Sequence, residues 1–292
     1  MKWKADWGLR ARMGLTMFLL FALYVVFAVV LISYFGGEEL MFLGFMMSFT
    51  LGSYFFSDKL TLWSMGAKEV SESDYPELHG MVSRLSQQAD LPKPKVAVSD
   101  QRVPNAFATG RSQKKAAVCV TTGLMQTLNQ EELEGVIAHE LAHVKNRDMM
   151  VMTVASLLST IAFMVVRWGW LLGGGGDNRN QAPIWVAILA SFVVWIVSYI
   201  LIRALSRYRE YAADRGGATI TGKPSALASA LMTIDGRMDK VPKEDLREEA
   251  EMNAFFIIPI RSGFIGKLFS THPSTERRVE RLREMEREME SY

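Results

Sequence analysis

Four long apolar stretches, three of them without a charge, limit what this chain can fold into. Leu15 to Phe35 runs 21 residues uncharged, the length an α-helix needs to cross the hydrocarbon of a bilayer. A signal peptide would have a shorter apolar core and a small-residue cleavage site; here GGEE follows, then more apolar chain. Leu40 to Phe56 adds 17 uncharged residues, at the short end for a span, and Gly36-Gly37-Glu38-Glu39 suits a tight hairpin turn. Met149 to Leu172 is apolar apart from Arg167 near its far end, which can snorkel, and Pro183 to Ile202 has no charge. The sequence therefore predicts four transmembrane helices, the last two joined by the flexible polar loop GGGGDNRNQA.

Basic residues orient the spans. Lys2, Lys4, Arg10 and Arg12 precede span one, and Lys145 and Arg147 precede span three. Arg203, Arg207, Arg209 and Arg215 follow span four, whereas the hairpin loops offer only Arg179 and nearby Arg167. The expected layout is a cytoplasmic N-terminus (1–14), a transmembrane hairpin (15–56), a cytoplasmic segment (57–148), a second hairpin (149–202) and a cytoplasmic segment (203–292). This is a multi-pass protein of the cell (plasma or inner) membrane with both termini cytoplasmic. The bilayer is thus one partner. A net charge of +2 gives no field for nucleic acid, and that class is set aside. Nothing in the sequence fixes an oligomeric state.

In the polar segments, 74–90 reads as a helix capped by Asp74, with an apolar face of Leu78, Met81, Val82, Leu85 and Ala89. Three strand-like runs follow at 95–99, 105–110 and 116–121, as in a small meander, and Cys119, the single cysteine, reads as a core residue of the third. Asn129 with Glu132 forms a capping box opening a helix that reaches Asp148. A helix after span four is expected to end at Gly216-Gly217. From Thr275 the tail forms a helix with Val279, Leu282, Met285 and Met289 along one side and its charges on a solvated face. His79 reads as a surface histidine.

The helix opened by Asn129 contains AHELAHVKNRD. His139 and His143, four apart, project from one side, so two imidazoles can reach one Zn²⁺, while Glu140 is placed to hold a water rather than the metal. With 4 histidines in the chain, chance gives roughly 0.004 HExxH motifs. One zinc per chain needs a third ligand, and no histidine follows at the required spacing. Glu210 is the best carboxylate: His143 lies 6 residues before span three and Glu210 lies 8 after span four, so an antiparallel hairpin returns both to one membrane face. The rival role for Glu210 is an ion pair with Arg207 or Arg209. Asp214, one turn on, is placed to accept a hydrogen bond from the free nitrogen of a ligand histidine.

These residues resemble the HtpX-like membrane zinc metalloproteases, heat-shock relatives of the CAAX prenyl proteases. The matching segments are PNAFATG (104–110), VTTGL (120–124), AHELAHVKNRD (138–148), SRYREYAADRGGA (206–218) and THPSTERRVERL (271–282); residues 235–270 contribute little. The resemblance implies a membrane α-helical protein with a small α+β, zincin-like catalytic domain. It implies His139, His143 and Glu210 as zinc ligands, Glu140 as general base and Asp214 behind the ligands. It places Asn105 and Ala106 on an edge strand that binds substrate backbone, and His272 near the cleft. His272 or Arg207 would offset the oxyanion charge, or His272 would serve only as structure before Pro273. The expected activity is endopeptidase cleavage of misfolded membrane proteins or their cytoplasmic loops. The alternatives are a processing protease for one membrane-anchored, lipidated peptide, or a zinc-containing membrane scaffold.

Overall fold

The computed structural model describes residues 6–35, 44, 48, 52, 55–56, 58–172, 184–238 and 273–291. Most of the predicted second span, the 173–183 loop and residues 239–272, His272 among them, lie outside these. The helices are α1 (Trp7–Phe35), α2 (Pro76–Gln88), α3 (Thr122–Thr127), α4 (Gln130–Asn146), α5 (Asp148–Leu172), α6 (Ile184–Thr221), α7 (Pro224–Met238) and α8 (Thr275–Glu290). The strands are β1 (Ala67–Glu69), β2 (Lys95–Ser99), β3 (Ala106–Thr109) and β4 (Ala117–Thr121). The chain divides into two units: the described parts of Phe56–Met150 and Ser206–Tyr292, and those of Asp6–Phe55 and Val151–Leu205.

Apart from Asp6, the described residues of the second unit are helical. Its outward face carries Phe18, Phe21, Val26, Trp185, Leu189 and Ile200, all exposed, a surface that suits lipid rather than water. Its interior packs Leu20 and Tyr24 with Ala155 and Leu205, and Phe27 with Ala162 and Val194. Small residues there let helix backbones approach, and the Tyr24 hydroxyl donates to the Ala155 carbonyl. Among the described residues two helices are long and apolar enough to cross a membrane, Trp7–Val29 and Trp185–Thr221. The number reaches three if Gln130–Asn146 and Asp148–Met164 are taken as one bent span. The chain is therefore mostly helical, with two apolar spans and a small sheet.

The first unit holds that sheet, in the order β1-β2-β4-β3. It is not the expected meander. β2 pairs β4 in parallel, with Ala97 opposite Cys119, while β3 pairs β4 antiparallel, with Phe107 opposite Cys119. The chain from 100 to 105 crosses over to place β3 at an edge, and the β1 strand was not legible in its three residues. Strand β4 is central and wholly buried, and burial pushes the Cys119 thiol up to about 12. Helices α2, α4, α7 and α8 complete a core containing Leu85, Val120, Ile137, Leu141, Leu231 and Leu282.

Three local expectations are corrected. Asp74 does not cap α2: Tyr75 is the cap residue, Pro76 opens the helix, and the Asp74 carboxylate accepts from Ser71 Oγ at 2.6 Å. His79 is half-buried rather than on the surface, its Nε2 lying 3.1 Å from the Val70 carbonyl oxygen. Helix α6 does not stop at Gly216-Gly217 but runs on to Thr221, where Gly222 with φ of 69° closes it. The glycine pair serves packing instead. A Cβ on Gly216 would lie 2.6 Å from Ala142 Cβ, and one on Gly217 would lie 2.8 Å from the His139 amide nitrogen. Only glycine lets the helix bearing Glu210 lie this close to the helix bearing His139. Gly217→Ala should force α4 and α6 apart at a cost of about 1–3 kcal/mol. Thermal unfolding of the detergent-solubilised protein should show the midpoint falling by several degrees, and an unchanged midpoint would refute this packing argument.

Candidate metal centre

Helix α4 is anchored before it reaches its histidines. Asn129 Oδ1 accepts from the Glu132 amide at 2.9 Å and Glu132 returns the bond to the Asn129 amide at 3.1 Å, the expected capping box. The other oxygen of Glu132 accepts from Ser229 and Thr233 of α7. Two turns later His139 and Glu140 are buried and His143 half-buried.

His139, His143 and Glu210 each bring one ligand atom to within 4.8 Å of the others. The two Nε2 atoms lie 3.1 Å apart. Glu210 Oε2 lies 3.6 Å from His139 Nε2 and Glu210 Oε1 lies 3.5 Å from His143 Nε2. Metal–ligand bonds near 2 Å in a tetrahedral arrangement separate ligand atoms by about 3.3 Å, so these edges match a zinc-sized ion. The imidazoles are turned the same way. His139 Nδ1 faces Asp214 Oδ1 at 3.0 Å and His143 Nδ1 faces Asp148 Oδ2 at 2.6 Å. With both Nδ1 atoms facing carboxylates, both Nε2 atoms are turned towards each other and towards Glu210, where a cation can take the place of the proton between them.

Two buried arginines balance part of the negative charge. Arg278 donates to Asp214 through Nε at 2.9 Å and Nη2 at 2.6 Å, while its Nη1 lies 3.5 Å from Glu210 Oε2. Arg209 pairs with Asp148 and donates to the Asn146 carbonyl at 2.9 Å. Glu140, Asp148, Glu210, Asp214, Arg209 and Arg278 are all buried. With both imidazoles neutral, as metal ligands must be, four carboxylates less two guanidiniums leave a charge of −2 in this group, which one divalent cation offsets.

The titrations follow from the same contacts. Burial alone would lower His139, but the Asp214 and Glu210 carboxylates override it and raise the imidazole to about 9. Burial, with His139 beside it, holds His143 below the usual imidazole range. Burial raises the Glu140 carboxyl, and it pushes Asp214 the same way, but there Arg278 and His139 win and its pKa ends low. Burial brings Arg209 down to about 10, still charged at neutral pH.

Edge strand β3 runs alongside. The Ala108 amide donates to Glu140 Oε2 at 2.9 Å. Asn105 is buried and spends its backbone on Thr121: its amide donates to Thr121 Oγ1 and its carbonyl accepts the Thr121 amide, both at 2.9 Å. Ala106, also buried, is the first residue of β3. The backbone donor of this strand that reaches the cluster is that of Ala108. Arg207 is half-buried, and among the described residues Arg209 and Arg278 take the positions beside the cluster. His272 lies outside the described residues.

Arg278 was missed because the tail helix was assigned a solvated charged face. Its position carried a signal: 278, 282, 285 and 289 share one helical stripe, so Arg278 lies in line with Leu282 and Met285. Arg278→Met would leave Asp214 and Glu210 buried without their guanidinium, at a cost of about 3–5 kcal/mol. Thermal unfolding of the metal-free protein should show this loss. Arg278→Lys should not restore it, because a point charge cannot bridge two carboxylates as the fork does.

A model of Peptidase family M48 matches residues 72–286. "Protease HtpX homolog 2" of Methanosarcina mazei is 56% identical over 291 residues, 99% of each chain. "Protease HtpX homolog" of Moorella thermoacetica is 55% identical over 295 residues, covering 98% of this chain and 97% of that one. Among solved structures, Ste24p of S. mikatae aligns with a TM-score of 0.47 and 16% identity. That alignment covers 90% of this chain but only 66% of the other, a likeness too distant to carry an argument. The family match spans the capping box, both histidines, Glu210, Asp214 and Arg278 alike, and with the close relatives it identifies the chain as a member of peptidase family M48, of the HtpX type.

Proposed function

We propose that this peptidase is a zinc-dependent endopeptidase of the cell membrane that cleaves misfolded membrane proteins or their exposed cytoplasmic loops. One observation carries the reading: two imidazole nitrogens and a carboxylate converge at ion-sized spacing within a buried group richer in carboxylates than in guanidiniums, with Glu140 beside them. His139, His143 and Glu210 would hold one zinc, and Asp214 would fix the His139 ring. Zinc bound there supplies Lewis acidity, acidifying a water and polarising the scissile carbonyl.

Glu140 acts as general base. Its Oε2 is oriented by the Ala108 amide, so Oε1 takes the proton of the attacking water and then delivers it to the leaving amine nitrogen. Burial raises its pKa, which strengthens it as a base. An extended substrate laid along β3 would be read through its backbone, giving broad specificity and a preference for unfolded clients. The basic residues flanking the apolar stretches support a cytoplasmic location for both termini and the site.

The test is digestion of an unfolded protein by chelator-treated enzyme with and without added zinc. Zinc should restore cutting, and Glu140→Gln should lower the rate by about 10²–10⁴-fold while binding zinc as the parent does. Zinc bound at one per chain with no cutting of unfolded protein would favour a narrow processing enzyme instead. A second prediction concerns pH. A ligand imidazole must be neutral to bind metal, and without metal His139 keeps its proton up to about 9. His143, shifted down, is already neutral near pH 7. Zinc affinity should therefore strengthen about tenfold per pH unit from 7 towards 9, with one proton released. Calorimetry in two buffers of different ionisation enthalpy would count it, and zero protons released would contradict the assignment.

A further inference from the structure

Two matching chains of side chains lie behind the paired histidines. Behind His139 stand Asp214 and then Arg278; behind His143 stand Asp148 and then Arg209. We infer that Asp148 and Arg209 are positioning residues for His143, fixing its ring and tautomer so that Nε2 faces the metal. This rests on the reading of the cluster as a metal centre.

The backbone is shaped to make the second chain. Asp148 follows His143 by five residues, which in an unbroken helix would put it about 140° around the axis, out of reach. Arg147 instead takes left-handed angles, φ 56° and ψ 40°, closing α4. The turn swings Asp148 back until Oδ2 lies 2.6 Å from His143 Nδ1. A non-glycine residue held in that region costs of order 1 kcal/mol, so the turn is imposed by its surroundings. Arg209 supplies part of that constraint: it pairs with Asp148 and donates to the carbonyl of Asn146, bracketing the left-handed residue from both sides.

The same helix thus presents Glu210 to the metal and its neighbour Arg209 to the support of His143. With Nδ1–H pinned on Asp148, the ring has one tautomer and one orientation. An amide at position 148 would let the ring adopt the other tautomer, placing a hydrogen where the metal belongs.

The experiment uses the full chain in detergent, labelled with ¹⁵N-histidine; with 4 histidines in the sequence the spectrum stays readable. In the metal-free parent, His143 should be the Nδ1–H tautomer. In Asp148→Asn and in Arg209→Gln it should become a mixture, and zinc affinity measured against a competing chelator should fall about 10–100-fold. The double variant should lose no more than the worse single one, because the two residues act in series. Arg209→Lys, which keeps the charge, should recover part of the loss. A purely structural role would lower thermal stability and leave tautomer and zinc affinity as they were, overturning the inference. Should Asp148→Asn fail to fold, Arg209→Gln carries the same readings. A parent that binds no zinc would overturn the metal reading, and the tautomer in the metal-free chain would still decide what Asp148 does.

Discussion

Carboxylates outnumber guanidiniums around His139 and His143, and the rest of the first unit is arranged so that this imbalance can be buried. Buried charges must be paired, and an unpaired excess is tolerated only where something cationic is expected. Each arginine takes one aspartate as its main partner: Arg278 holds Asp214 and Arg209 holds Asp148. Glu140 and Glu210 are the two carboxylates to which the proposal gives direct chemistry, and Glu210 shares Arg278 with Asp214 at 3.5 Å. The aspartates by contrast face the Nδ1 atoms, on the far side of the rings. The division of labour between glutamates and aspartates thus follows which face of the imidazoles each carboxylate meets.

Burying such a group needs helices closer together than ordinary side chains allow. The glycines at 216 and 217 meet α4 at Ala142 and at the His139 backbone. They lie within one turn of Asp214 and about two turns beyond Glu210 on the same helix, so the closest approach is built beside the residues that need it. The sequence reading took the same pair as a helix end. Gly-Gly is a common stop signal, and only the partner helix tells a terminator from a contact point.

Much of the site was legible in the sequence because its spacing is local. His139, Glu140 and His143 fall within little more than one helical turn, and Asn129 with Glu132 announces the helix that carries them. Glu210 and Asp214 followed from a topological argument about hairpins returning to one membrane face. What escaped notice depended on long-range or irregular geometry. Arg278 acts across a contact between α8 and α6, and Asp148 acts through a left-handed residue that periodicity treats as helix. The parallel pairing of β2 with β4 escaped for a similar reason: three short strands in a row read as a meander unless the crossover is seen.

The edge strand joins these threads. In an antiparallel pair, alternate residues of an edge strand turn their backbone groups away from the neighbour. Asn105 is bonded to β4 through Thr121, so Ala106 and Ala108 fall on the outward register. The Ala108 amide uses that position to hold Glu140. A peptide adding to β3 would seek the same outward groups, so the strand that would align the substrate also orients the base. Substrate alignment and base placement are then referred to one backbone segment, which is itself fixed by pairing to the buried β4. Displacing β3 would disturb both at once. Under the proposed function, that coupling would let a site that reads backbone rather than side chains be tolerant in sequence and still fix its geometry at the scissile bond.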